Sequence, residues 1–215
     1  VIVVNDGSSE PHLSRYKELE VNYPGVEFYY LVHRPNGHGQ SYSMNYGVSQ
    51  AENKYVCFLD DDDFWTDEQY LEKVRKNISD CDREVDIHYC NQKAYFSDGS
   101  PNTSNVWVED LIPKLPAEGI KAGSAHIVDA SFLLSSKGFA HLNCSVYRRL
   151  FYNSIGGMDE GIRYECDRDI FLRAVDVANA ILFSPDYNAL HNIPDVQKKD
   201  NMSTLASIYE KKIFQ

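Results

Sequence analysis

The chain has 215 residues, 32 acidic against 21 basic side chains, a formal net charge of -11, and 43% hydrophobic with 13% aromatic residues. This composition excludes disorder throughout and supplies one large core. The acidic balance repels phosphate backbones and argues against a nucleic-acid partner, and no apolar run approaches the ~20 residues of a membrane span. Five cysteines (Cys57, Cys81, Cys90, Cys144, Cys166) show no CxxC pair and no finger spacing. They indicate neither a disulfide framework nor a zinc site and fit a reducing cytoplasm. The first residues are already an apolar β-branched run, with no initiator Met or charged leader before it, so a missing N-terminal part is expected.

Short apolar runs alternate with helical patterns through the first half, which predicts βαβ units and a mostly parallel central sheet flanked by helices, a Rossmann-like α/β class. Val1 to Val4 reads as a buried strand stopped by Asn5-Asp6-Gly7-Ser8-Ser9. A helix from about Pro11 to Val21, a strand from Val26 to His33 and the loop Arg34-Pro35-Asn36-Gly37-His38-Gly39 follow, then a helix from about Gln40 to Ala51. Tyr55 to Leu59 is the most hydrophobic strand and runs into Asp60-Asp61-Asp62-Asp63. Thr66 with Gln69 suggests a capping box opening a helix to about Ile78. Val85 to Phe96 reads as another strand. The stretch Ser97 to Lys121, rich in Pro, Gly, Asn and Ser, reads as a long excursion carrying acceptor-side or lid elements. Leu142 to Tyr147 reads as a strand and Asp167 to Val177 as a helix, all within one domain.

Four successive carboxylates beyond a buried strand are costly, because neighbours ~6 Å apart repel by roughly 3 kcal/mol at an effective dielectric near 20. If the backbone stays extended, Asp60 and Asp62 share a face and could meet a divalent cation, Mg²⁺ or Mn²⁺. A solvated acidic turn is the alternative. Ligands in open α/β sheets bind at such strand ends. Asp6 follows the first strand in the same way. It could accept a bond from a base or ribose, with Gly7 allowing close backbone approach, or serve an Asx-turn equally well. In the last helix Ile170, Phe171, Ala174, Val175 and Ala178 form the apolar face, so Asp167 starts on the inward side, where burial raises a carboxyl pKa; a helix N-cap is the alternative. Asp169 lies four residues before Arg173 and reads as an ion-paired surface group.

Three elements in this order, Val3-Val4-Asn5-Asp6-Gly7-Ser8-Ser9, then Phe58-Leu59-Asp60-Asp61-Asp62-Asp63, then Gly156-Gly157-Met158-Asp159-Glu160 followed by Cys166-Asp167-Arg168-Asp169-Ile170-Phe171-Leu172-Arg173, resemble the family 2 glycosyltransferases of the GT-A fold. The resemblance runs from the first residue to about Ser203 and includes the loop Arg34 to Gly39 with Asn45 and Gly47. It implies a GT-A nucleotide-diphospho-sugar transferase fold with a nucleotide-binding part over 1–96 and an acceptor-binding, catalytic part over 97–215. It also implies inverting transfer from a nucleotide-sugar donor, a UDP-sugar first, to a saccharide or glycolipid acceptor in polysaccharide or glycolipid assembly. Residue by residue, Asp6, Gly7, Arg34, Asn36, Asp60 and Asp61 would contact the nucleotide. Asp62 and His191 would hold Mn²⁺ or Mg²⁺, and Asp167 would be the general base. His191, between Tyr187-Asn188-Ala189-Leu190 and Asn192 with Asn201-Met202-Ser203 downstream, resembles the family's late His segment; a solvated loop His is the alternative. Two departures stand out. Family members carry a further strand some thirty residues upstream of Val1, and Cys166 stands where Glu usually precedes the base. The setting implied is cytoplasmic, with peripheral association at a membrane's cytoplasmic face. Two other functions compete: a sugar nucleotidyltransferase, whose Gly-rich phosphate loop is not visible, and a nucleotide-binding module without turnover.

Overall fold

The computed structural model describes residues 1–35 and 37–193. Two sheets form. Strands β1 (Ile2–Asn5) and β2 (Glu27–Tyr30) pair in parallel as a two-stranded sheet, with α1 (His12–Asn22) between them in sequence. After α2 (Gln40–Gln50) come β3 (Tyr55–Cys57), β4 (Phe64–Trp65), α3 (Tyr70–Ser79) and β5 (Ile87–Tyr95). A 3-10 turn at Glu109–Lys114, β6 (Lys121–Ala122), β7 (Ala125–Val128) and α4 (Ala130–Leu134) lead to a second 3-10 turn at Leu142–Cys144 and β8 (Ser145–Arg148). Helices α5 (Arg149–Ser154) and α6 (Cys166–Val177) and strand β9 (Ile181–Asn192) complete the described chain.

The second sheet has seven strands in the order β3-β8-β5-β9-β7-β6, with β4 on the far end of β9. Among the described residues only β5 and β9 run parallel within it; the other pairings are antiparallel. The expectation of a mostly parallel sheet is therefore corrected, while the α/β class holds. The reason is physical: a strand buried on both faces reads as a continuous apolar run whichever way its neighbours point, so hydrophobicity cannot report direction. A second correction concerns α3. Thr66 does not cap it; its N–H donates to Asn188 O at 2.9 Å, extending the β4–β9 pairing, and the Asp67 carboxylate takes the Gln69 N–H at 2.9 Å instead.

Side chains alternate across the sheet as a pleat requires. Ile87, Tyr89, Tyr147, Ile181 and Phe183 pack against α5 and α6 through Phe151, Tyr152, Ile170, Phe171, Ala174 and Val175, while Cys90, Val146 and Ala189 face Tyr70 and Val74 of α3. The expected inward face of α6 is thus buried. The excursion after β5 is also packed: Trp107, Val108 and Leu111 are buried.

Two amides on α2 tie the halves together. Asn45 uses both ends of its side chain: Nδ2 donates to Met158 O at 2.9 Å and Glu160 at 3.0 Å, and Oδ1 accepts from Tyr152 at 2.8 Å and the Met158 N–H at 3.0 Å. Five residues earlier, Gln40 donates to Asp60 at 3.0 Å. Arg173 forks onto Asp169 at 2.6 and 2.9 Å, the expected ion pair, and also donates to Ile155 O and Gly157 O, locking the Gly156-Gly157 turn to α6.

Candidate active site

Strand β3 ends at Cys57, and the acidic run that follows folds as a turn closed by the Asp63 N–H on Asp60 O at 3.2 Å. This overturns the premise of an extended backbone placing Asp60 and Asp62 on one face. A turn brings residues three apart together, so Asp60 and Asp63 point inward while Asp61 and Asp62 are exposed. Asp61 accepts from Tyr16 of α1 at 3.0 Å.

The turn rests on the segment before β8. Asn143 accepts the Asp60 N–H at 3.0 Å and donates to Asp63 at 2.5 Å. From the end of β9, His191 Nδ1 meets the same Asp63 oxygen at 2.7 Å and the Asn192 N–H meets the other at 2.7 Å, while the Asn192 side chain donates to Asp62 O. Asp63 is thus a fully buried anion with three partners. Burial pushes its carboxyl upward, but the His191 and Asn192 bonds outweigh that and hold it below the ordinary range. Those bonds offset the repulsion of the acidic run.

His141 completes the centre. Its Nε2 lies 3.5 Å from Asp167 and 3.8 Å from Asp60, and ligand atoms of Asp60, Asp63 and His141 all fall within 4.8 Å of one another. Burial holds its imidazole far below the usual value, at about 3, so it is neutral. Asp167, in the first turn of α6 with a side chain 16% exposed, is pushed up to about 6 by burial, against the Arg168 N–H it accepts at 3.0 Å. Asp60 is pushed up to about 7 by burial and then by Asp63, Asp62 and Asp167. Cys166 donates its S–H to Gln40 at 3.4 Å, and burial lifts the thiol to about 12, so it is an inert packing group.

Asp60, Asp167 and His191 therefore share one centre. Asp6 does not reach it directly: its carboxylate takes the His38 and Gly39 N–H groups at 2.8 to 2.9 Å and His38 Nδ1 at 2.7 Å, closing the loop that leads into Gln40. Gly7, at φ 73°, lies so close that a Cβ would sit 2.7 Å from His33 Cα. Arg34 is exposed on this loop. Asn36 and Asn201-Met202-Ser203 lie outside the described residues. Sequence reasoning missed Asp63, His141 and Asn143. Asp63 was visible in the run; no spacing marks the other two.

Trp107 covers the two histidines, its ring 4.6 Å from His141 and 5.3 Å from His191. Gly138 allows this, because a Cβ there would sit 2.1 Å from Trp107 O and 2.8 Å from Val106 O, backbone atoms that cannot rotate aside. We expect Gly138→Ala to cost about 1–3 kcal/mol and to expose Trp107. A lowered Tm with red-shifted tryptophan emission would show it; an unchanged spectrum would contradict it.

A family model, glycosyl transferase family 2, matches residues 1–154. The chain belongs to this family. Among curated relatives it is 29% identical over 150 residues to YibD of Escherichia coli K12, described as an uncharacterized glycosyltransferase, covering 69% of this chain and 40% of that one. It is 36% identical over 106 residues to GgaB of Bacillus subtilis 168, a minor teichoic acid biosynthesis protein, covering 49% of this chain and 11% of the relative. The chain thus spans less than half the length of these relatives. Among solved structures, S. aureus TarS 1-349 in complex with UDP-GlcNAc superposes with a TM-score of 0.66 at 19% identity, covering 97% of this chain and 52% of TarS. GalNAc-T7 with UDP, GalNAc and Mn²⁺ gives 0.56 at 17% identity, covering 89% of this chain and 37% of that one. These likenesses show the GT-A fold. No helix among the described residues is long and apolar enough to cross a membrane.

Proposed function

We propose that this chain is the catalytic part of an inverting glycosyltransferase moving a sugar from a UDP-sugar to an acceptor hydroxyl during polysaccharide or glycolipid assembly. The observation that carries this reading is the convergence of Asp60, His191 and Asp167, from three distant segments, on one centre. The UDP-GlcNAc bound by TarS and the teichoic acid role of GgaB support the donor and the setting.

Hydrogen bonding bears on which residues would hold a divalent cation. His191 donates its Nδ1–H to the Asp63 carboxylate, so in the neutral ring Nε2 carries the lone pair, the carboxylate–histidine arrangement that orients metal-binding imidazoles. Asp63 has every oxygen committed, so Asp60 and His191 Nε2 would be donors from the inner side of the turn, and Asp62, exposed on the turn but near enough to His191 for their charges to act on each other, would add a third, a set of hard oxygens and one imidazole that fits Mn²⁺ or Mg²⁺. A cation bound there would neutralise the growing charge of the leaving diphosphate. The chain's own residues do the rest. The acceptor oxygen attacks the anomeric carbon opposite the diphosphate, and Asp167, whose raised pKa suits a base, takes its proton. Asp6, Gly7, Arg34 and Asp61, in the part before residue 97, would line the nucleotide side, and the part after it would receive the acceptor.

A thermal-shift series tests the reading. UDP with Mn²⁺ at ~100 times Kd contributes about 2.7 kcal/mol, which for a domain of this size raises Tm by roughly 5–10 °C. UDP-sugar hydrolysis releasing UDP should accompany it. No stabilisation by UDP and Mn²⁺, or release of pyrophosphate instead, would overturn the reading.

A further inference from the structure

By distance alone His141 belongs with Asp60 and Asp63 around a cation. We infer instead that His141 is a positioning residue that aims Asp167 and is not a metal ligand; this rests on the reading of Asp167 as the base. A backbone N–H can only donate, and that of Asn143 points at His141 Nδ1 at 3.3 Å, as His141 caps the 3-10 turn Leu142–Cys144. Nδ1 is therefore the acceptor, and the neutral ring carries its proton on Nε2. The ring cannot readily turn over, being 8% exposed and packed against both Trp107 at 4.6 Å and His191 at 5.2 Å. An N–H, not a lone pair, thus faces the carboxylates of Asp167 and Asp60. The two histidines are opposites: His191 gives its Nδ1 side to a carboxylate and keeps an Nε2 lone pair, whereas His141 receives at Nδ1 and has none to offer.

The proton on Nε2 has a use. Asp167 Oδ1 already takes the Arg168 N–H, and its Oδ2 faces His141 at 3.5 Å. Two donors, one at each oxygen, fix the plane of the carboxylate, so its free lone pairs are held toward the acceptor. The contact is long in the resting protein and needs to shorten by about 0.5 Å to become a hydrogen bond, as catalytic contacts do when substrate arrives.

His141→Phe keeps the ring against Trp107 and removes the N–H; His141→Gln keeps a donor. With UDP-sugar and acceptor, His141→Phe should lower kcat ~100-fold while donor KM stays within about twofold, and His141→Gln should recover most of the loss. Calorimetric titration with Mn²⁺ in the presence of UDP should give unchanged affinity in both variants. A fall in Mn²⁺ affinity in both, or full kcat in His141→Phe, would overturn the inference. Should His141→Phe fail to fold, nitrogen-15 NMR of the unmutated protein decides: a protonated Nε2 supports the inference and a protonated Nδ1 sinks it. A protein that transfers no sugar loses the base reading and the positioning role with it, while the Mn²⁺ titration and the spectrum still decide whether His141 binds metal.

Discussion

Asp167→Asn should lower sugar transfer ~10²- to 10⁴-fold, the usual contribution of a general base, while the stabilisation by UDP and Mn²⁺ persists. The amide fills the same space and its Oδ1 can still accept the Arg168 N–H, so the fold and the nucleotide side are kept, while the NH2 in place of Oδ2 can neither take the acceptor's proton nor accept from the His141 Nε2–H. Because Asp167 titrates at about 6, kcat of the unmutated protein should rise with pH through that value, and the limb should vanish from the residual activity of the variant. Stability should move the other way. The folded pKa lies above the ordinary 3.8, so the favourable contribution of the protonated group is complete below the unfolded value and is lost as pH rises through about 6. At pH 7.5 the ionised, buried carboxylate opposes folding by on the order of 3 kcal/mol, and Asn removes that opposition. Less activity with a higher Tm is the expected pair; a variant that no longer binds UDP, or one that is destabilised, would contradict the role.

The second large effect belongs to a residue that touches no substrate in this reading. Asp63→Ala strands the Asn192 N–H, the Asn143 amide and His191 Nδ1 in a buried place. We expect a loss of about 3–5 kcal/mol, typical of breaking a buried charge pair. Since the same carboxylate sets the orientation of His191, Mn²⁺ affinity should fall by 10- to 100-fold in whatever fraction stays folded. Urea unfolding and Mn²⁺ titration check the two parts separately. Lost stability with unchanged Mn²⁺ affinity would make Asp63 structural only.

Much of this was legible in the residues. Helices α2 and α6 and strand β5 fall within a residue or two of where the sequence put them, α6 through its apolar face of Ile170, Phe171, Ala174 and Val175. Strand direction was not legible, for the reason β8 illustrates: Val146 and Tyr147 are buried on opposite faces, and such burial looks the same in either orientation. The acidic run was conspicuous, yet its inward pair was misread, since alternation assumes a strand and the backbone turns one residue after Leu59. His141 carried no signal at all. Its place depends on Asn143 and Trp107, which come together through tertiary packing of the excursion, and no local pattern encodes that.

Helix α2 also acts as a ruler. Gln40 gauges the acidic turn and Asn45 gauges the Met158 turn, so the spacing between those two amides sets the distance between the two turns. One residue inserted between them would rotate the downstream half by about 100° and leave one gauge without its mark. Length variation should therefore be forbidden within the first two turns of this helix, whatever residues are used to make it.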